Sequence, residues 1–293
     1  MKTIHILNPA AGQGKAAEFK GLENAYITKG PGDAADYVHT FLTENDEDLH
    51  FKVYGGDGTV NEVVTGILRS GSNRASISVV PVGTGNDLLR AVTENNVKTL
   101  DVLTLNEHYA INAINTGFDL EVVQKAAEFK KKPLISGHLA YVLGVASVLL
   151  GKLGKKMKIS YADENGNEDS FEGECLLVVA ANGAYYGGGF KASPAADLSD
   201  GLIDLMIVKK VSKIKFLSLV AGYKKGIHID SKTGKVNEKF KDFIIFSKCK
   251  SVRIEGIKEI CADGEIFKTN IAKVGIIPSV LKIATEEKET ANV

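Results

Sequence analysis

Apolar residues follow two different rhythms along this 293-residue chain. In the first third, short apolar runs alternate with stretches of helical spacing. Residues 4–7 read as a buried strand ending at Asn8-Pro9, residues 25–28 as a short second strand, 51–54 as a third and 76–81 as a fourth. Between them, residues 34–43 place Ala35, Val38, Phe41 and Leu42 at helical spacing, with Asp33 positioned to cap the helix. Residues 59–69 do the same with Val60, Val63, Val64, Ile67 and Leu68, and a further helix is expected from Asn86. This alternation predicts an α/β domain with a mainly parallel sheet covered by helices.

The rhythm then changes. Residues 99–105 and 109–115 flank Asn106-Glu107-His108 as a hairpin, and helical stretches follow at 120–127 and 138–150. Residues 156–163 and 169–171 flank Glu164-Asn165-Gly166-Asn167, and Asn-Gly between strand patterns is a strong hairpin signal. Short strands are expected at 176–181, 203–208, 243–246, 252–255, 259–261 and 272–277, with one helix at 213–224. The predicted organisation is an α/β N-terminal domain over 1–115, joined by a C-terminal return at 279–293, and a β-rich domain over 116–278. The longest uncharged stretch, 134–150, contains Ser136, Gly137 and His138 and is at the short limit for a membrane span. It reads as a buried or cleft-lining helix.

Composition changes this picture little. Hydrophobic content of 44% and charged content of 25% fit a soluble globular protein. Net charge is zero, so no nucleic-acid partner is expected, but residues 1–115 carry −5 and the remainder +5. Lys130, Lys131, Lys132, Lys152, Lys155, Lys156 and Lys158 bracket the apolar stretch. They fit ordinary solvated lysines, or a peripheral contact with an anionic membrane surface. Cys175, Cys249 and Cys261 are far apart and odd in number, which points to a reducing cytoplasm. The first residues run straight into a strand pattern, so no leader is expected. The histidines lack metal spacing.

Chemistry concentrates in three glycine-bearing loops: 8–15, 55–62 and 81–87. In parallel α/β sheets ligands collect beyond the carboxyl ends of strands. Glycine lets a backbone approach phosphate, and a following helix offers free N–H groups and a favourable dipole. Asp57 sits inside the second loop, Gly55-Gly56-Asp57-Gly58-Thr59. A carboxylate beside polyphosphate is repulsive unless a cation lies between them, so Asp57 reads as a metal partner. Gly12-Gln13-Gly14-Lys15 lacks the spacing and the hydroxyl of a Walker loop.

Asn8-Pro9-Ala10-Ala11-Gly12, Gly55–Thr59 with Asn61-Glu62, and Pro81-x-Gly83-Thr84-Gly85-Asn86-Asp87 together resemble the diacylglycerol kinase catalytic-domain family, closest to its soluble bacterial lipid kinases. The likeness continues through Tyr186-Gly187-Gly188-Gly189, Pro194, Asp200-Gly201 and Asp263-Gly264-Glu265. It implies an NAD kinase/phosphofructokinase-like α/β lobe, a β-sandwich-rich second lobe, and phosphoryl transfer from ATP, with Mg²⁺, to a lipid hydroxyl. By resemblance, Asn8, Pro9, Ala10, Ala11, Gly12, Thr28, Gly56, Asp57, Gly58, Thr59, Val60, Asn61, Glu62 and Thr84 hold the nucleotide.

The resemblance also makes Glu265 or Asp263 the base that accepts the lipid hydroxyl proton. Glu265 has the longer reach and Asp263 is the alternative; without the resemblance, Asp-Gly there is a plain hairpin turn. A second Mg²⁺ site is implied at the Asp200 carboxylate and the backbone carbonyls of Asp197 and Leu202, with Asp87 and Asp119 as candidates to join that acidic network and Asp204 close by. Tyr185 and Tyr186 read as core packing. The resemblance implies a diacylglycerol acceptor giving phosphatidic acid. Phosphatidylglycerol and sphingosine-like alcohols stay open as acceptors, as does a homodimer. An NAD kinase would carry a different second-domain signature. A non-catalytic nucleotide- or lipid-binding regulator would not need the acids Asp57, Asp263 and Glu265.

Overall fold

The computed structural model describes residues 1–82, 86–132, 137–187 and 189–284. Strands β1 (Lys2–Leu7), β3 (Leu49–Gly55) and β4 (Ala75–Pro81) run parallel in the order β4-β3-β1, with the short β2 (Ala25–Ile27) outside β1. Helices α1 (Asp33–Glu44), α2 (Asp57–Ser70) and α3 (Asp87–Asn95) connect them. The apolar stripes of α1 and α2, Ala34, Val38, Val60, Val63, Val64 and Ile67, join Ile4, Ile6, Phe51, Val53 and Ile77 in one core. Each such side chain contributes about 1.5–3 kcal/mol on burial. That contribution, rather than helix propensity, makes these short helices stable. At Gly66 a side chain would meet the Ala35 carbonyl at 2.5 Å, so glycine there is what lets α1 and α2 cross closely.

The chain continues as β5 (Thr99–Leu105), β6 (His108–Ala110), β7 (Ala113–Gly117), α4 (Phe118–Lys130), α5 (Gly137–Leu150), β8 (Lys155–Asp163), β9 (Glu168–Ala181), β10 (Ile203–Lys209), α6 (Lys213–Lys224), β11 (Ile244–Glu255), β12 (Glu259–Ala262), β13 (Glu265–Lys268) and β14 (Ile271–Ile283). All strands belong to one hydrogen-bonded sheet, in which the order β13-β12-β7-β9-β10-β11-β14 leads into β4-β3-β1-β2. Alternation along the strands separates two cores. In β10, Ile203, Leu205 and Ile207 face a strand-lined core, while Met206 and Val208 face an apolar cluster shared with α4, α5 and α6. β14 joins the lobes. It pairs antiparallel with β11 and β5, shifts register between Ile277 and Leu281, and ends with Lys282 and Ile283 parallel to β4.

Several elements differ from expectation. Residues 11–19 form a 3-10 segment rather than an open loop. Asp33 does not cap α1. The cap position is Gly32, in the left-handed region at φ 82°, and Asp33 instead accepts the Tyr26 hydroxyl at 2.9 Å and the Lys29 N–H at 2.8 Å. The strands expected at 169–171 and 176–181 are one strand, β9, because β8 pairs with the polar stretch between them. The strands expected at 243–246 and 252–255 likewise merge into β11. β13 follows the Asp263-Gly264 turn and had no strand prediction. Among the described residues, no helix is long and apolar enough to cross a membrane.

Candidate active site

The loops after β1, β3 and β4 meet at one end of the parallel strands. Asn8 holds the first two together: its Oδ1 accepts the Ala10 N–H and its Nδ2 donates to the Thr59 hydroxyl, both at 3.0 Å. Gly12 adopts φ +61°, and a side chain on it would come within 1.7 Å of the Val82 carbonyl, so the first loop lies directly against the third. Thr28 is buried, its N–H donating to Leu7 O at 2.9 Å at the same sheet end. Glu62 accepts the Ala34 N–H at 3.2 Å and so serves the exposed start of α1 that Asp33 leaves unserved. Val60 turns its side chain into the core, so only its backbone is available to a ligand. Thr84 lies outside the described residues.

Asp57 opens α2 and accepts the N–H groups of Asp87 at 3.2 Å and Leu88 at 3.5 Å, at the start of α3. Burial pushes its carboxyl above the ordinary aspartate range, and the charges of Asp87 and Asp263 push the same way against those two N–H bonds. Across the cleft, Asn61 bridges the lobes, its Nδ2 donating to Asp263 Oδ2 at 2.9 Å and to Tyr109 O at 3.2 Å. Asp263, in the left-handed region at φ 45°, also accepts Ile111 N–H at 2.5 Å and the N–H groups of Asn112 and Ala113 at 3.0 Å. Burial raises its pKa while those donors oppose the rise. With four donors on its carboxylate, Asp263 works as a clamp on the 111–113 segment. Glu265, at the start of β13, is exposed, and Gly264 beside it lines the cleft.

Asp57, Asp87, Asp119 and Asp263 line this cleft together with Asn112 and Asn115, and among the described residues no Lys, Arg or His lines it. Asp119 is the surprise. The resemblance made it and Asp87 candidates to join the acidic network of the loop at 197–202, but both face the cleft. Asp119 accepts the Tyr186 hydroxyl, and burial raises its pKa. Tyr186 is therefore a cleft residue, whereas Tyr185 is core, its hydroxyl on Glu94 at 3.0 Å. Behind Asp119 lies a second cavity of about 170 Å³, lined by Phe118, Val208, Phe216, Leu219, Phe240 and Phe243 among others, and it shares Asp119, Tyr141 and Phe190 with the cleft.

The loop from Asp197 to Leu202 lies apart from the cleft. Asp200 Oδ1 accepts the Leu202 N–H at 3.0 Å, and its Oδ2 takes the Lys248 ammonium at 2.6 Å. Asp197 turns back on Ser199, accepting its N–H at 3.0 Å and its hydroxyl at 2.9 Å. The acid that reaches this loop is Asp101, which accepts the N–H groups of Gly201 and Ser279, both at 2.6 Å. Sequence reasoning missed Asp101 and Lys248. The available signal was a charged residue inside each of two otherwise apolar strand patterns, at Asp101 and Asp204, each of which needs a partner once buried.

An α/β lobe contributing Asp57 and Asp87 and a β-rich lobe contributing Asp119 and Asp263 meet at one acid-bearing cleft. Two family models cover the chain in order: the diacylglycerol kinase catalytic domain matches residues 2–116, and the YegS C-terminal NAD kinase beta sandwich-like domain matches 112–285. A diacylglycerol kinase of Staphylococcus saprophyticus is 30% identical over 264 residues, 85% of this chain and 80% of that one. A probable lipid kinase, YegS-like, of Alcanivorax borkumensis is 30% identical over 225 residues, 67% of this chain and 70% of that one. A crystal structure of a diacylglycerol kinase from Bacillus anthracis shares the fold with a TM-score of 0.65 at 23% identity, covering 96% of each chain. The chain belongs to the diacylglycerol kinase-like lipid kinase family, whose members are phosphotransferases. Kinase membership implies ATP as the phosphoryl donor.

Proposed function

We propose that this protein transfers the terminal phosphoryl group of ATP to the free hydroxyl of diacylglycerol, giving phosphatidic acid. The observation that carries this is the junction of an acid-bearing cleft with an apolar cavity. An acidic cleft and an apolar cavity share Asp119, Tyr141 and Phe190, which suits an amphiphile whose hydroxyl sits in the first and whose acyl portion sits in the second. The relatives named diacylglycerol kinase support the same acceptor.

Phosphoryl transfer needs positioning and charge neutralisation more than covalent chemistry by the protein. The loops at Asn8–Gly12 and Gly56–Glu62, with Thr28, supply close backbone approach for the nucleotide. The cleft fits Mg²⁺ by its donor chemistry, because its carboxylates are hard oxygen donors with no basic residue among them. Among the described residues, no three His, Cys, Asp or Glu side chains form a ready-made cage. Mg²⁺ bound by one or two carboxylates plus phosphate oxygens and water matches that arrangement, with Asp57 as the protein ligand. When bound, the ion would neutralise charge on the phosphates.

Glu265 is the better base of the two candidates. No described residue donates to its carboxylate, whereas Asp263 is committed to four donors that hold the 111–113 segment and Asn61. Glu265 would take the hydroxyl proton as the bond to phosphorus forms, and Asp263 would position the turn that carries it. The lipid meets the protein at a peripheral membrane contact. Leu139, Tyr141 and Val142 on α5 and Ile214 and Leu217 on α6 are exposed, with Lys213, Lys215 and Lys224 beside them.

The experiment is incubation of the purified protein with ATP, Mg²⁺ and a total lipid extract, with mass detection of phosphorylated products. Phosphatidic acid is the expected product. Selective phosphorylation of another lipid alcohol would move the acceptor, and nucleotide binding without transfer to any lipid would contradict the proposal.

A further inference from the structure

The resemblance that places Mg²⁺ near Asp57 also implies a second Mg²⁺ at Asp200 and the carbonyls of Asp197 and Leu202. The residues present do not fit that ion. Asp200 has one oxygen on the Leu202 N–H and the other on the Lys248 ammonium. Lys248 reaches past Asp200 to Asp204 Oδ1 at 2.9 Å, and Asp204 Oδ2 accepts the Ser193 hydroxyl at 2.9 Å. Asp204 and Lys248 are direct partners in the β10–β11 register, so the backbone itself sets the ammonium beside the acid. Asp204 alternates in phase with Met206 and Val208, and Lys248 with Phe246 and Ile244, on the helix-covered apolar face. The side chain of Asp204 is 1% exposed and those of Lys248 and Asp200 are 25% and 23% exposed. Asp204 is fully buried and, among the described residues, has besides the Ser193 hydroxyl only the Lys248 ammonium to balance its charge, which Asp200 shares from the surface side.

We propose that Lys248 is a built-in counter-ion that replaces a divalent cation at this loop, so that the packing of residues 197–202 between β10, β11 and the end of β14 needs no bound metal. The ammonium ties together three separate pieces of chain. Asp204 belongs to β10, Lys248 to β11, and Asp200 to the loop that Asp101 anchors, through Gly201 and Ser279, to the register shift of β14. A lysine is held by the covalent chain and cannot be removed by a chelator, whereas Mg²⁺ exchanges with solution. This inference does not depend on which lipid the cleft accepts.

The test is thermal unfolding without nucleotide, in an Asp57→Asn background that removes metal binding in the cleft. The parent is expected to show the same midpoint in excess Mg²⁺ and in EDTA. Lys248→Met should lower the midpoint on the order of 10 °C, and Lys248→Arg should retain most of the lost stability. If Lys248→Met does not fold, the double variant Lys248→Met with Asp204→Asn removes the stranded charge and should recover a folded protein. A parent midpoint that falls in EDTA would overturn the proposal. So would a Lys248→Met midpoint equal to the parent's, or a double variant no more stable than Lys248→Met alone.

Discussion

The molecule holds two groups of aspartates that look alike in sequence and differ in what balances them. At the cleft, Asp57, Asp87, Asp119 and Asp263 stand around open volume, and among the described residues no basic side chain lines it. At the loop beneath the lobe junction, Asp200 and Asp204 share one ammonium, and Asp101 is satisfied by backbone N–H groups. Burial raises the pKa of Asp57, Asp119 and Asp263, so ionising them together is unfavourable. At the loop, burial alone would lower the Lys248 ammonium, but Asp204 and Asp200 outweigh it and hold it above the ordinary lysine value. Burial raises the pKa of Asp204 and Asp101 as well, so the two sites differ in what opposes that cost: an ammonium and backbone N–H groups at the loop, and N–H donors without a basic lining side chain among the described residues at the cleft. Stability and function diverge at such places: removing the Asp57 charge should help the fold, whereas stranding Asp204 without its ammonium should harm it.

The largest effect expected is on activity. Asp57→Asn should lower kcat by about 10³-fold or more, as expected when a charge-stabilising group leaves a phosphoryl-transfer site. The same substitution should raise the unfolding midpoint of the ligand-free protein by about 2–4 °C, since it removes a buried charge that only a ligand balances. Next, Glu265→Gln should lower kcat by about 10²–10⁴-fold with little change in KM for ATP, measured by steady-state kinetics. An unchanged kcat would pass the base role to Asp263. At the loop, Lys248→Met should cost about 3–5 kcal/mol in chemical denaturation, because it leaves the buried Asp204 carboxylate without its counter-ion. Asn61→Ala should cost about 1–2 kcal/mol through loss of one donor to Asp263.

A smaller effect sharpens the sign. Asp57 has a folded-state pKa above its unfolded value, so its ionisation destabilises the fold progressively as pH rises from the unfolded value through the folded one. The stability advantage of Asp57→Asn should therefore be full at neutral pH and shrink as pH falls toward the ordinary aspartate value of about 4. Midpoints of the two proteins across that range give the difference directly, and an advantage that grows on acidification would reverse the electrostatic account.

The parallel half of the fold was legible because Val60, Val63, Val64 and Ile67 against Phe51 and Val53 carry an unambiguous pattern. Asp57 was legible as a cleft acid because glycines flank it at a strand end. What escaped depended on the third dimension. Asp119 and Asp200 are both acids beyond the first, α/β stretch of the chain, and only the fold separates their destinations, Asp119 at the turn of β7 into α4. Lys248 lies 44 residues from Asp204 and is joined to it by antiparallel register alone. Asp33 reads as a cap from its own neighbourhood, yet Glu62, 28 residues from Ala34, takes that task. Long-range pairing set each of these outcomes.

Hydrogen exchange of the wild-type protein, compared in EDTA, in Mg²⁺ and in Mg²⁺ with a non-hydrolysable ATP analogue, tests the central contrast most directly. Mg²⁺ with nucleotide should slow exchange at residues 8–12, 55–62 and 87–90, while residues 197–204 exchange at the same rate in all three conditions. Exchange at 197–204 that accelerates in EDTA, or cleft loops that ignore Mg²⁺ with nucleotide, would contradict the account.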